Sequence, residues 1–104
     1  MDREMKVIAH IVEFVGEPDQ LEKIGMEGFY DRVVPVLRAQ AGFGGCITLL
    51  NRDTGKMLGV TLWDTADNGR LAGARLEQER VKGADDMGAD SPTPEFYEVL
   101  AQIS

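Results

Sequence analysis

Residues 42–64 read GFGGCITLLNRDTGKMLGVTLWD, two apolar runs on either side of a polar turn, with the chain's one tryptophan, Trp63, at the far end. Asp53-Thr54-Gly55 suits a tight turn whose glycine takes a left-handed conformation, so the two runs are expected to pair as a β-hairpin. Gly42, Gly44 and Gly45 permit a sharp lead-in and a bulge at the start of the first strand. What flanks this hairpin decides what it pairs with.

Upstream, Val7, Ile8, Ile11 and Val12 crowd residues 5–14, which read as a strand with apolar side chains on both faces. GEPD at 16–19 is turn chemistry whose Pro18 and Asp19 open a helix. Leu21, Ile24, Phe29, Val33, Val36 and Leu37 then recur at helical spacing to about Gln40. Gly25 and Gly28 weaken that helix, and Pro35, with no N–H for the carbonyl of Asp31, predicts a kink or a final turn. Downstream, Asp64-Thr65 reads as an N-cap and Ala66 to about Lys82 as a second helix carrying Leu71, Leu76 and Val81. Gly69, Gly73 and Gly83 each cost such a helix about 1 kcal/mol relative to alanine. Residues 83–94, GADDMGADSPTP, are expected as a loop, and 95–103 alternate as a final strand.

The order strand, helix, strand, strand, helix, strand is the split βαβ pattern of the ferredoxin-like α+β class, two helices over one face of an antiparallel sheet. Residues 1–104 are read as one domain. Strand one offers Ile8, Val12 and Phe14 on one side and Val7, Ala9 and Ile11 on the other; the hairpin offers Leu58, Val60 and Leu62 against Met57 and Trp63. Helices hide only one set. Leaving the other wet forfeits roughly 1.5–3 kcal/mol per side chain, and so large a patch rarely survives on a monomer. A second copy packed sheet to sheet about a two-fold axis is therefore expected, a homodimer through the sheet face.

The formal net charge of −7 would repel a phosphate backbone or an anionic membrane surface, so neither nucleic acid nor membrane is an expected partner. Cys46 is alone, and one cysteine with one histidine, His10, cannot build a structural zinc site; no metal is expected. The N-terminal MDREMKVIAHIVEF carries charges where a signal peptide needs an apolar core, which points to the cytoplasm. GFGG precedes a strand and lacks a Lys-Ser/Thr ending, so no nucleotide is expected. The acids of 84–90 lack the spacing of a calcium loop. Arg70, Arg75 and Arg80 lie five apart, spread around a helix, and suggest a solvated surface rather than a phosphate site.

Residues 41–64, AGFGGCITLLNRDTGKMLGVTLWD, resemble the dimeric α+β barrel proteins, and within them the antibiotic biosynthesis monooxygenase-like domains: a Gly-aromatic-Gly lead-in, a hairpin and a Leu-Trp-acidic ending. The element order matches over nearly the whole chain. The resemblance implies an obligate dimer with a pocket in each subunit between sheet and helices. Its characterised members include cofactor-independent oxygenases of polycyclic phenols and quinols, haem-degrading enzymes, and isomerase-like or binding proteins, so fold alone leaves function open. In several members the tryptophan matching Trp63 faces the pocket. The haem-degrading branch takes a histidine ligand from its second-helix region, where residues 71–90 here have none, which argues against haem.

Trp63 reads first as a core anchor, because it buries so much area, and second as a flat wall that stacks on an aromatic ligand. His10 suits a general base that deprotonates a phenol at neutral pH, though a half-buried histidine with one hydrogen bond is the blander reading. Phe29 and Tyr30 are candidate substrate-binding rings. Tyr30 and Tyr97 rim a cavity or only finish the core. Cys46, with no flanking cation but Arg52, reads as a small buried hydrophobe. The expected function is a cofactor-independent monooxygenase of a small phenol or quinol, with His10 as catalytic base. A non-catalytic dimeric module for a small apolar ligand or a stress response is the second reading, and a lyase or isomerase the third.

Overall fold

The computed structural model describes residues 7–103. Met5 and Lys6, the start of the expected first strand, and the charged residues before them lie outside the described residues. The elements are β1 (Ile8–Val15), a helical stretch α1 over residues 18–39, β2 (Phe43–Asn51), β3 (Lys56–Trp63), α2 (Ala66–Met87) and β4 (Glu95–Glu98). The four strands form one sheet in the order β2-β3-β1-β4, every neighbouring pair antiparallel. This is the expected α+β, ferredoxin-like arrangement.

The hairpin forms for local reasons. Asn51 Oδ1 accepts from the backbone N–H groups of Asp53 and Thr54 at 3.0 and 3.2 Å, an Asx turn that reverses the chain. Gly55 completes it with φ +70°. The expected irregularity at the head of β2 is a bulge between Phe43 and Gly45. Helix α1 opens with Pro18 in its first turn and Glu17 accepting from the Asp19 N–H. Its weak sequence appears as two π turns, Leu21–Gly25 and Phe29–Val33, set among α turns. The second π turn ends just before the Val34–Ala39 segment that holds Pro35 in its first turn, so the break at proline is a wider turn rather than an interruption.

Two boundaries differ from the sequence reading. Helix α2 opens as expected, Thr65 Oγ1 accepting from the Asn68 N–H at 3.1 Å. It runs past Lys82 to Met87, however, and residues 83–87 are helix, not loop. Ala84 and Met87 are buried against Phe14, Leu21 and Met57, and that burial outweighs the poor propensity of Gly83 and two aspartates. Gly88, at φ +62°, then caps the helix, and the Ala89 N–H returns to the Ala84 carbonyl at 2.9 Å. Strand β4 stops at Glu98 rather than Ile103, because its register on β1 ends with the pair Ile8–Glu98. Leu100 and Ile103 beyond it are 89% and 93% exposed.

Side-chain alternation and register put Ile8, His10, Val12 and Phe14 of β1 on the helix side with Met57, Gly59, Thr61 and Trp63 of β3. The grouping of side chains within each strand is the one expected from the sequence, and the register decides which group the helices cover. The core under the helices falls into two clusters. One holds Phe14, Leu21, Met57, Ala84 and Met87; the other holds Leu37, Trp63, Ala72 and Leu76. On the opposite face, Ile11, Leu58, Val60 and Leu62 line up with Ile47 and Leu49, the last two half exposed.

A Cβ at Gly55 would stand 2.3 Å from the Gly16 carbonyl oxygen, whereas one at Gly88 meets open space. Gly88→Ala is therefore expected to cost only the left-handed backbone penalty, about 1–2 kcal/mol. Gly55→Ala should cost clearly more in urea denaturation, since the turn must also move away from Gly16.

Candidate active site

Between the two core clusters lies a cavity of about 110 Å³, counted as space open to the centre of a water molecule. A single water needs roughly 10–15 Å³ by that measure, so the cavity takes a ligand several times that size. Gly59 of β3 and Gly73 of α2 both line it. A Cβ at Gly59 would come within 2.9 Å of Val12 Cγ2. Much of the wall is apolar, with Phe29 and Val33 from α1 and Leu76 and Met87 from α2; Thr61 and Cys46 add a hydroxyl and a thiol from the sheet.

His10 is in the wall, 5% exposed. Its ring lies 4.8 Å from that of Phe96 on β4, tilted by 42°. A Cβ at Gly73 would sit 3.2 Å from His10 Nε2, so the glycine lets the helix backbone close over the imidazole. Burial holds the imidazole below its ordinary range; the Glu77 carboxylate pulls the other way, and the Arg80 guanidinium sides with burial. The ring is consequently neutral at pH 7. Among the described residues, neither ring nitrogen takes part in a hydrogen bond, which leaves the neutral nitrogen's lone pair available to a guest.

The other sequence candidates have different surroundings. Phe29 lines the cavity, whereas Tyr30 beside it is 65% exposed and meets Phe29 edge to face at 5.4 Å. Trp63 is fully buried in the second cluster against Phe43, at 5.6 Å between ring centres, and is not in the cavity wall. Its indole N–H donates to Thr61 Oγ1 at 2.8 Å, and Thr61 Oγ1 donates to the His10 carbonyl at 3.4 Å. Trp63 thus reaches the cavity through Thr61. Tyr97 pairs with Ala9 on the open side of the sheet. Burial pushes the Cys46 thiol up, which keeps it protonated.

The charged side chains of the wall were not foreseen. Arg32 of α1 pairs with Glu79 at 3.1 Å and Asp86 at 3.6 Å on α2. Arg80 grips Glu77 with two guanidinium nitrogens and donates to the carbonyl and hydroxyl of Ser91, both at 2.9 Å. The i,i+3 spacing of Glu77 and Arg80 carried a signal; that of Arg32 and Glu79, 47 residues apart, carried none. Among the described residues no group of three His, Cys, Asp or Glu side chains is placed to hold a metal ion. No helix among them is long and apolar enough to cross a membrane.

No protein-family model matches the sequence, and no curated protein sequence matches it. Among solved structures, the chain is similar to a monooxygenase from the gene ActVA-Orf6 of Streptomyces coelicolor, in complex with nanaomycin D. The two are 18% identical over 99% of this chain and 95% of that one, with a TM-score of 0.73. SnoaB, a cofactor-independent oxygenase from Streptomyces nogalater, is 18% identical over 95% of this chain and 96% of its own, TM-score 0.60. A candidate antibiotic biosynthesis monooxygenase from Nitrosomonas europaea is 16% identical over 96% of each chain, TM-score 0.68. At these identities the likeness is one of fold, and the expected resemblance to the antibiotic biosynthesis monooxygenase-like fold holds over nearly the whole chain.

The depressed imidazole sets a direction for stability. His10 in the folded chain holds its proton less tightly than in the unfolded chain, whose ordinary value is 6.5. Unfolding therefore takes up a proton below that pH, and the His10 contribution, complete above about 6.5, is lost as pH falls towards the folded value. Unfolding free energies measured from pH 7 to pH 5 should show wild type losing stability relative to His10→Gln, with parallel curves above pH 7.

Proposed function

We propose that the protein is a cofactor-independent monooxygenase of a small phenol or quinol, bound in the cavity between sheet and helices. The observation that carries this reading is a neutral, buried imidazole at the wall of a cavity lined by apolar side chains on the sheet and helices, with its charged residues engaged in ion pairs. An electron-rich ring needs only two things from such a site. It must lose its hydroxyl proton, and its anion must meet dioxygen away from water. His10, in the proton-accepting state at neutral pH, serves the first. The apolar wall serves the second, and raises the energy of the anion relative to water, which favours electron transfer to oxygen. One oxygen atom enters the ring and the other leaves as water with the hydroxyl proton and the displaced ring hydrogen, so the substrate supplies every electron. Phe29 stacks on the ring and Tyr30 supports Phe29 from outside. Trp63 holds Thr61, and through it the His10 backbone, in register. The likeness in fold to two oxygenases, one crystallised with nanaomycin D, supports the reading.

The working unit we propose is a cytoplasmic homodimer of one-domain subunits, joined through the open sheet face. Ile11, Leu58, Val60 and Leu62 with Ile47 and Leu49 make that face too apolar to leave wet.

Incubation with a panel of phenols and hydroquinones, under air and under argon, checks the first part. The expected result is oxygen-dependent product formation that His10→Ala lowers by about 10²–10⁴-fold, the range of a lost general base. Binding without turnover in air would favour the non-catalytic module instead. Sedimentation at micromolar concentration checks the second: wild type should run as a dimer and the Ile47→Lys, Leu49→Lys double variant as a folded monomer.

A further inference from the structure

The element packed over His10 is α2, where a Cβ at Gly73 would sit 3.2 Å from His10 Nε2. Four residues on, one helical turn along the same face, stands Glu77, which lines the cavity with His10 and Gly73. Its carboxylate is not free to wander. Arg80 Nε donates to Glu77 Oε2 at 3.2 Å and Arg80 Nη2 to Oε1, the fork that matches a carboxylate. Arg80 is fixed in turn, since its Nη1 holds Ser91, and the Ser91 hydroxyl donates to the Glu13 carbonyl on β1 at 2.7 Å. A chain of polar contacts therefore runs from β1, the strand that carries His10, through Ser91 and Arg80 to Glu77.

We propose that Glu77 is a positioning residue for His10: its carboxylate, clamped through Arg80 and Ser91 to β1, stabilises the cation formed when the imidazole takes a proton in the cavity. The inference rests on the reading of His10 as proton acceptor. In that step the substrate O–H bond breaks and an N–H bond forms on the imidazole, which holds the proton until it leaves with the water formed; Glu77 supplies charge and takes no proton. The fields agree, Glu77 favouring the protonated ring and Arg80 opposing it. Arg80 also keeps the Glu77 carboxyl below its usual range, so it is ionised at neutral pH.

The remaining groups around the ring do not substitute for it. From α1, Arg32 is engaged by Glu79 and Asp86. From β2, Cys46 is a protonated thiol. Thr61 of β3 and Phe96 of β4 carry no charge, and Glu13, Lys56 and Glu95 stand on the opposite face of the sheet.

His10 is the chain's only histidine, so its imidazole C–H signals in NMR report one titration without overlap. The expected result is that Glu77→Gln, close to isosteric, moves the His10 midpoint to lower pH. Glu79→Gln, which removes the same charge from the neighbouring ion pair, should leave it in place. An unmoved midpoint in a folded Glu77→Gln protein, or equal displacement in both variants, overturns the proposal. Should Glu77→Gln prove unfolded in the same spectra, Glu77→Asp replaces it and is expected to lower the midpoint by less than full neutralisation; no displacement there is the overturning result. The titration needs no substrate, so absence of turnover on phenols with a displaced midpoint would overturn the oxygenase reading and leave the His10–Glu77 pairing standing.

Discussion

A sheet with apolar side chains on both faces sets a problem that two helices can solve on one face only, and most of this molecule follows from that asymmetry. The β1–β3 pairing sends Ile8, His10, Val12 and Phe14 to the same side as Met57, Thr61 and Trp63, and that side is roofed by α1 and α2. The covered face holds the candidate site. On its counterpart, with Ile11, Leu58, Val60 and Leu62 in register, no element among the described residues lies. Interior and surface thus draw on similar residue types, and position alone separates them.

Under the roof, close packing would fill the space from end to end, and a continuous core would be the more stable one. The chain does otherwise. Phe14, Met57 and Met87 pack at one end and Leu37, Trp63 and Leu76 at the other, with the cavity between them. The stability given up by leaving the gap open is a cost that a purely structural domain has no reason to carry, and this is why the cavity and not the fold is the argument for a ligand.

The parts legible in the sequence are those decided by neighbours along the chain. Asn51 to Gly55 fixes the hairpin through its own hydrogen bonds, and strict alternation in β1 and β3 assigns the faces. Helix α2 ran longer than expected because its last turn is held by Ala84 and Met87 against Leu21 and Phe14, contacts that no propensity scale contains. In the site, His10 and Phe29 were reachable from strand parity and helical spacing. The depth of Trp63 and the exposure of Tyr30 depended on where each element meets its neighbour. The ion pairs of Arg32 join residues 47 and 54 positions away, a distance over which sequence carries no register.

The charged wall matters because the influences on one imidazole do not all point one way: burial, the largest, and Arg80 hold it below its ordinary range, and Glu77 alone pulls it up. Burial alone would make His10 a poor acceptor, since a cation formed there loses the solvent that would stabilise it. A bare carboxylate alongside would overcorrect, favouring a ring already protonated and useless as a base at neutral pH. A carboxylate shared with a guanidinium lies between these limits: Glu77 offers the ring negative charge, and Arg80 tempers it. Because Arg80 is also tied to Ser91, and Ser91 to β1, that balance is fixed by the fold and not by the rotamers of two free surface chains. On the proposed reading of His10 as a base, an acceptor that is neutral before proton transfer and tolerably charged after it is what the step requires.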